Sequence, residues 1–139
     1  CRLILPSDVS VTKDFSSGVV NAIRKINEIE KDEEGIDIGP DTIQRFSDVI
    51  LNSKTVIWNG PMGVFETESF AKGTNAIAKV VSEMTQNEGT SIIGGGDSAS
   101  AIKDLGVWDD MTHISTGGGA SLELLSGEDL PAFKALRMI

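Results

Sequence analysis

The chain has 139 residues, 40% of them hydrophobic and 24% charged, the balance of one globular domain or a piece of one. That composition excludes wholesale disorder, collagen-like repeats and a disulfide scaffold, and no apolar run approaches the roughly 20 residues of a membrane helix. Twelve basic residues against 21 acidic ones give a net charge of −9, the wrong sign for a nucleic-acid surface.

A small anion could still be held locally by backbone amides. The single cysteine, Cys1, forms no internal disulfide and has no zinc-type spacing around it, which fits a reducing, cytoplasmic compartment. No secretory or lipidation signal is visible. The chain opens directly on Arg2-Leu3-Ile4-Leu5 without an initiator methionine, so a fragment of something longer is expected.

Leu3 to Leu5 reads as a first strand, closed by Pro6. Val9 and Val11 alternate with polar neighbours, predicting a short half-exposed strand. From Ser17 to Glu30, Val19, Ile23, Ile26 and Ile29 recur at helical spacing, and a helix is expected there. The acidic run Glu30 to Glu34 reads as a solvated loop. Asp37-Ile38-Gly39-Pro40-Asp41 reads as a turn into a helix whose stripe of Ile43, Phe46, Val49 and Ile50 ends near Asn52.

Thr55-Val56-Ile57-Trp58 is the clearest strand, and it runs into Asn59-Gly60-Pro61-Met62-Gly63, which continues neither helix nor strand. A long helix follows, with Phe70, Gly73, Ile77, Val80, Val81 and Met84 on one face. Ser91-Ile92-Ile93 is another strand, broken by Gly94-Gly95-Gly96. Asp97 and Ser98 are suited to cap the next helix, which carries Ala99, Ala101 and Ile102. His113-Ile114 gives a last short strand, then Gly117-Gly118-Gly119 and a helix with Leu122, Leu124 and Leu125.

Strand, glycine-rich turn and helix thus occur three times without an internal sequence repeat. This grammar predicts an α/β fold: a mainly parallel sheet flanked by helices in a Rossmann-like three-layer arrangement. Right-handed crossovers put all three turns at the carboxyl edge of one sheet, where open α/β sheets receive ligands.

Gly94-Gly95-Gly96-Asp97-Ser98 and Gly117-Gly118-Gly119-Ala120-Ser121 both fit a phosphate cradle, with amides at a helix start and no Cβ in the way. A lone glycine triplet would fit a tight turn equally well. No Walker A ending is present; Lys72-Gly73-Thr74 has the wrong order and lies in a helix. Gly94-x-Gly96-x-x-Ala99 matches the dinucleotide fingerprint loosely, but the ribose acid some 20 positions on is lacking, which leaves an NAD-type domain as a weak alternative beside a non-catalytic nucleotide-binding module with the same glycine turns.

Asp97 beside a phosphate loop suits magnesium and suits helix capping equally well. Glu66 could receive ribose hydroxyls or be an exposed loop acid. His113 lacks a triad partner and is expected to be structural.

Trp58-Asn59-Gly60-Pro61-Met62-Gly63-Val64-Phe65-Glu66, Phe70-Ala71-Lys72-Gly73-Thr74, Gly94 to Ser98 and Ser115 to Glu123 together resemble the motifs of phosphoglycerate kinases. Leu5-Pro6-Ser7-Asp8, Asp37-Ile38-Gly39-Pro40 and Leu130-Pro131 follow in the same order, so the resemblance covers the whole chain. It implies reversible phosphoryl transfer between 1,3-bisphosphoglycerate and ADP, giving 3-phosphoglycerate and ATP, with Mg2+ as cofactor.

The resemblance places residues 1–129 in the later part of the nucleotide lobe. Residues 130–139 would be a tail returning to an absent N-terminal lobe. It implies that Gly63 and Val64 line the adenosine pocket, that Glu66 holds the ribose, and that Asn59, Gly95, Gly96 and Ser98 face the phosphates. Asp97 would hold magnesium, and Gly117, Gly118 and Gly119 would meet the phosphoryl group in flight.

Ser98 stands where the family usually has threonine. The basic motif for the triose and the glycine- and lysine-rich loop that opens the nucleotide lobe do not occur. The isolated chain is therefore expected to be inactive and, with Phe133, Leu136, Met138 and Ile139 in its tail, to self-associate.

Overall fold

The computed structural model describes residues 1–136, so Met138 and Ile139 of the tail lie outside the described residues. Two small sheets organise the chain. The first is antiparallel, ordered β2-β1-β3, from β1 (Asp8–Thr12), β2 (Ala22–Lys25) and β3 (Glu34–Ile38). The second is parallel, ordered β4-β5-β6, from β4 (Thr55–Asn59), β5 (Thr90–Gly94) and β6 (His113–Ser115).

Helix α1 (Pro40–Leu51) connects the two sheets, α2 (Lys72–Gln86) crosses from β4 to β5, and α3 (Gly96–Leu105) follows β5. Then α4 (Gly118–Leu125) follows β6, and the short α5 (Pro131–Ala135) begins after buried Leu130. The core is the apolar face of α2 (Ile77, Ala78, Val81, Met84) packed on Trp58, Ile93 and Ile102. Ile43, Phe46 and Ile50 of α1 close it from one side.

The parallel sheet flanked by helices is the expected arrangement, but the first 38 residues are not. No α-helix forms over 17–30; the range holds β2 and one 3-10 turn, Ile26–Glu28. Asp14 caps an earlier 3-10 turn (Phe15–Ser17) that Gly18 ends in the left-handed region at φ 65°. The β-branched Val19, Val20 and Ile23 then favour extended backbone over a helix. The side chain of Asn21 fastens the connection by accepting from the Lys13 amide at 2.7 Å.

The Val9–Val11 segment is a strand, as expected, but it is not half-exposed: it is the middle strand of its sheet, with Val11 and Thr12 fully buried. Leu3 to Leu5 pairs with no strand among the described residues, leaving Leu3 and Leu5 exposed. Asp37 and Ile38 are strand rather than turn, and Glu34 opens that strand. Nor is the acidic run wholly solvated: the Glu33 side chain is 1% exposed and receives Arg24 Nε and Nη2 at 2.8–3.2 Å.

Two helix starts are closed from the antiparallel sheet rather than by their own residues. Asp8 of β1 accepts from the amides of Asp41 and Thr42 and from the Thr42 hydroxyl. Burial works to raise its carboxyl, but those bonds, led by Thr42, together with the Lys25 charge hold it below the ordinary value. Asp37 of β3 accepts from the Gly73 amide of α2 at 2.6 Å and from Ile38. Here burial wins and the carboxyl is pushed up against those same bonds.

Candidate functional site

The strands β4, β5 and β6 run the same way, so their three glycine turns lie together at the carboxyl edge, as expected. Asn59 ends β4 opposite Gly94, and Gly94 is opposite Ser115. Gly95 occupies the cap of α3 at φ +97°, a conformation that a side chain would strain. Its amide donates to the Ser115 carbonyl at 3.0 Å, while Gly117 donates to Ser115 Oγ at 3.2 Å. Ser115 thereby ties the second turn to the third.

The first intrahelical bonds run from Ala99 to Gly95 and from Ser121 to Gly117. The amides of Gly96, Asp97 and Ser98 at the start of α3, and those of Gly118, Gly119 and Ala120 at the start of α4, therefore have no hydrogen-bond partner among the described residues. The two starts abut. A Cβ on Gly118 would lie 2.9 Å from the Gly95 Cα and 2.5 Å from Asn59 Oδ1. The Asn59 side chain thus sits where the turns meet, and the positive ends of two helix dipoles face one spot.

Asp97 does not cap its helix, because Gly95 holds that position; its carboxylate is exposed in the first turn. One carboxylate beside unpaired amides suits magnesium, which takes one or two carboxylates plus phosphate oxygens and keeps several waters. Ser98 is fully buried, and its Oγ accepts from the Gly60 amide at 2.8 Å, so its hydroxyl is committed to the first turn. Neither its hydroxyl nor its amide faces outward, against the expectation that Ser98 meets the phosphates. His113 is exposed in β6.

Gly63 and Val64 line a cleft of about 380 Å³ with Val9, Ile36, Pro61 and Met62. The Val64 amide donates to the Ile36 carbonyl at 3.0 Å, which welds this wall to β3. Glu66 instead borders a separate depression of about 230 Å³ with Phe65, Ala71, Ala101 and Leu105. The structure brings Asn59 together with both glycine turns, and Gly63 with Val64, but it does not seat Glu66 in the Gly63–Val64 cleft.

Sequence reasoning missed Ile36 and the tie made by Ser115, and it included Ala120 only within its glycine motif. Only Ala120 carried a signal, as the third residue of a helix opening on Gly118. The other two act through bonds to residues distant in sequence.

The arrangement is that of the open α/β domains that receive ligands at the carboxyl edge of the sheet, on glycine-opened helix starts. The family model described as phosphoglycerate kinase matches residues 1–128, and the chain belongs to the phosphoglycerate kinase family.

It is 52% identical over 135 residues to the phosphoglycerate kinase of Thermosynechococcus vestitus, covering 97% of this chain and 34% of that protein. Identity to the cytosolic phosphoglycerate kinase of Triticum aestivum is likewise 52%, with the same coverage. The solved structure of phosphoglycerate kinase from Coxiella burnetii superposes with a TM-score of 0.84 at 39% identity, over 94% of this chain and 33% of that one. That from Pyrococcus horikoshii gives 0.78 at 34% identity, over 95% and 32%. The chain thus spans about a third of the length of the relatives it matches.

Proposed function

We propose that this chain is the part of a phosphoglycerate kinase that holds the phosphates of Mg-ADP or Mg-ATP, within an enzyme moving a phosphoryl group between 1,3-bisphosphoglycerate and ADP. One observation carries the reading: two glycine-opened helix starts converge beside Asn59, with an exposed Asp97 in the first turn of one of them. Phosphoryl transfer asks mainly for in-line positioning and cancellation of charge.

The exposed amides of Gly96 and Asp97 would receive the nucleotide's phosphates, and those of Gly118, Gly119 and Ala120 the phosphoryl group in transit. Asn59 fixes the spacing of the two sets. Gly95 and Gly117 act through Ser115, keeping the turns in register. Magnesium, when held by Asp97, supplies further neutralisation of phosphate charge. The Gly63–Val64 wall would pack against the adenosine, and Glu66 would receive its ribose hydroxyls. No described helix is long and apolar enough to cross a membrane, and the wheat relative's name supports a cytoplasmic setting.

The coverage of relatives gives the size of the shared piece, one third. The motifs at the sheet edge support placing it late in the nucleotide lobe, with residues 1–129 in that lobe and 130–139 returning to the other. The basic triose-binding residues and the other nucleotide loop would come from the remaining two thirds. Alone, the chain would give no turnover. An NAD-type domain is disfavoured because no acidic residue ends a strand where a ribose would be read.

The test is a graft of this chain for the matching third of the Thermosynechococcus relative. The graft is expected to convert 1,3-bisphosphoglycerate and ADP to ATP and 3-phosphoglycerate. A folded graft without turnover would refute the assignment.

A further inference from the structure

The segment Lys72-Gly73-Thr74, which fits no phosphate-loop pattern, has a different place in this molecule. Thr74 is fully buried in the first turn of α2. Its Oγ accepts from two successive amides of the turn after β4: Met62 at 3.0 Å and Gly63 at 3.2 Å. Around that pair, every donor of the turn is engaged. Gly60 donates to Ser98 Oγ, Pro61 has no N–H, and Val64 donates to the Ile36 carbonyl.

The turn is therefore a wall without a free amide, held by α3, α2 and β3 at once. It contrasts with the two helix starts, whose amides have no partner among the described residues. Of its anchors, only Thr74 holds two donors. Removing its oxygen would strand both in a part-buried position, and an unsatisfied buried donor carries a large penalty. The first turn of α2 is itself fixed by Asp37, which accepts from Gly73 beside Thr74.

We propose that Thr74 is a positioning residue of the nucleotide site: its single hydroxyl sets the Gly63–Val64 wall at its distance from the phosphate edge. This rests on the nucleotide reading above. Thr74 touches no ligand in this account and acts only through the Met62 and Gly63 amides.

The experiment compares wild type, Thr74→Val, Thr74→Ser and Thr85→Val in the 139-residue chain. Amide exchange is read at Met62 and Gly63, and Mg-ADP affinity by calorimetry. Thr85→Val removes a hydroxyl bonded to the Val81 carbonyl and Ser91 Oγ at the far end of the same helix, and so controls for lost stability alone. Thr74→Val is expected to speed exchange of those two amides at least about tenfold and to weaken Mg-ADP about tenfold. Thr74→Ser should restore both, and Thr85→Val should change neither.

Unchanged exchange in Thr74→Val would overturn the anchoring. Faster exchange with unchanged affinity would overturn the role in nucleotide positioning. A wild-type chain that ignores Mg-ADP, while Thr74→Val still frees the two amides, would overturn the nucleotide reading and uphold the anchor.

Discussion

The contact between the starts of α3 and α4 gives the sharpest mutational contrast. Gly118 and Gly119 are adjacent residues in the first turn of one helix, and neither has a positive φ. A Cβ on Gly119 meets nothing within 4 Å, whereas one on Gly118 falls 2.5 Å from Asn59 Oδ1 and 3.0 Å from the Gly95 amide nitrogen. Two of the atoms it meets are backbone, so the clash is relieved only by moving α4 away from the second turn.

Overpacking of this kind costs about 1–3 kcal/mol, of which the gain of alanine over glycine in a helix offsets up to about 1 kcal/mol. Gly118→Ala should therefore destabilise by about 1–2 kcal/mol, while Gly119→Ala should stabilise by about 0.5 kcal/mol. Urea denaturation with an unchanged m-value reads the difference. Mg-ATP titration reads the displaced amides through the terminal phosphoryl group they would receive, with affinity lost in Gly118→Ala and kept in Gly119→Ala. Equal midpoints for the two variants would refute the argument that the helix starts abut.

Arg24→Ala removes the guanidinium donors from the Glu33 carboxylate and should lower the urea midpoint; an unchanged midpoint, as for many exposed pairs, would count against a stabilising bridge. The two helix-capping aspartates should show opposite pH signatures. Asp8 is held below its ordinary value when folded, so its stabilisation is present above about 3.8 and is lost as pH falls through the folded value. Asp8→Asn should flatten that acid limb.

Asp37 is held above its ordinary value, so the folded state binds the proton more tightly. Stability should fall as pH rises from about 3.8 through the raised folded value, and Asp37→Asn should remove that fall. Thermal midpoints across the acid range check both aspartates. In sedimentation, the chain is expected to self-associate, because Leu3, Leu5 and Ile57 are exposed and the apolar run Val56-Ile57-Trp58 lies on an edge strand of the parallel sheet. A monomer at every concentration would contradict this.

The parallel half of the molecule was legible in the sequence because its signals are local. Thr55 to Trp58 is an unbroken run of strand-forming residues, α2 has a continuous apolar face, and glycines mark each turn. Of the antiparallel half only β1 was, through Val9 and Val11, and the rest was not, for two reasons. Ile23, Ile26 and Ile29 happen to fall at helical spacing, but extended backbone suited the β-branched residues around them, and β2 found a partner in β1.

The caps supplied by Asp8 and Asp37 are bonds across 33 to 36 residues. No pattern in a short window carries such a bond. The same holds within the candidate site. The glycine triplets and Asp97 stood out by composition, whereas Ser115, Ile36 and Thr74 are ordinary residues whose importance lies in which distant amide they receive or hold. Ser98 shows the reverse: a hydroxyl in a suggestive motif, spent on the neighbouring turn rather than turned outward.

The central claim is that the two helix starts and Asp97 form a working seat for a magnesium nucleotide. Calorimetric titration of the 139-residue chain with Mg-ADP, alongside Asp97→Ala, tests it most directly. Saturable binding is expected, weakened about tenfold by the substitution, the value of one charge-assisted contact. Binding that is absent, or equally strong in Asp97→Ala, would contradict it.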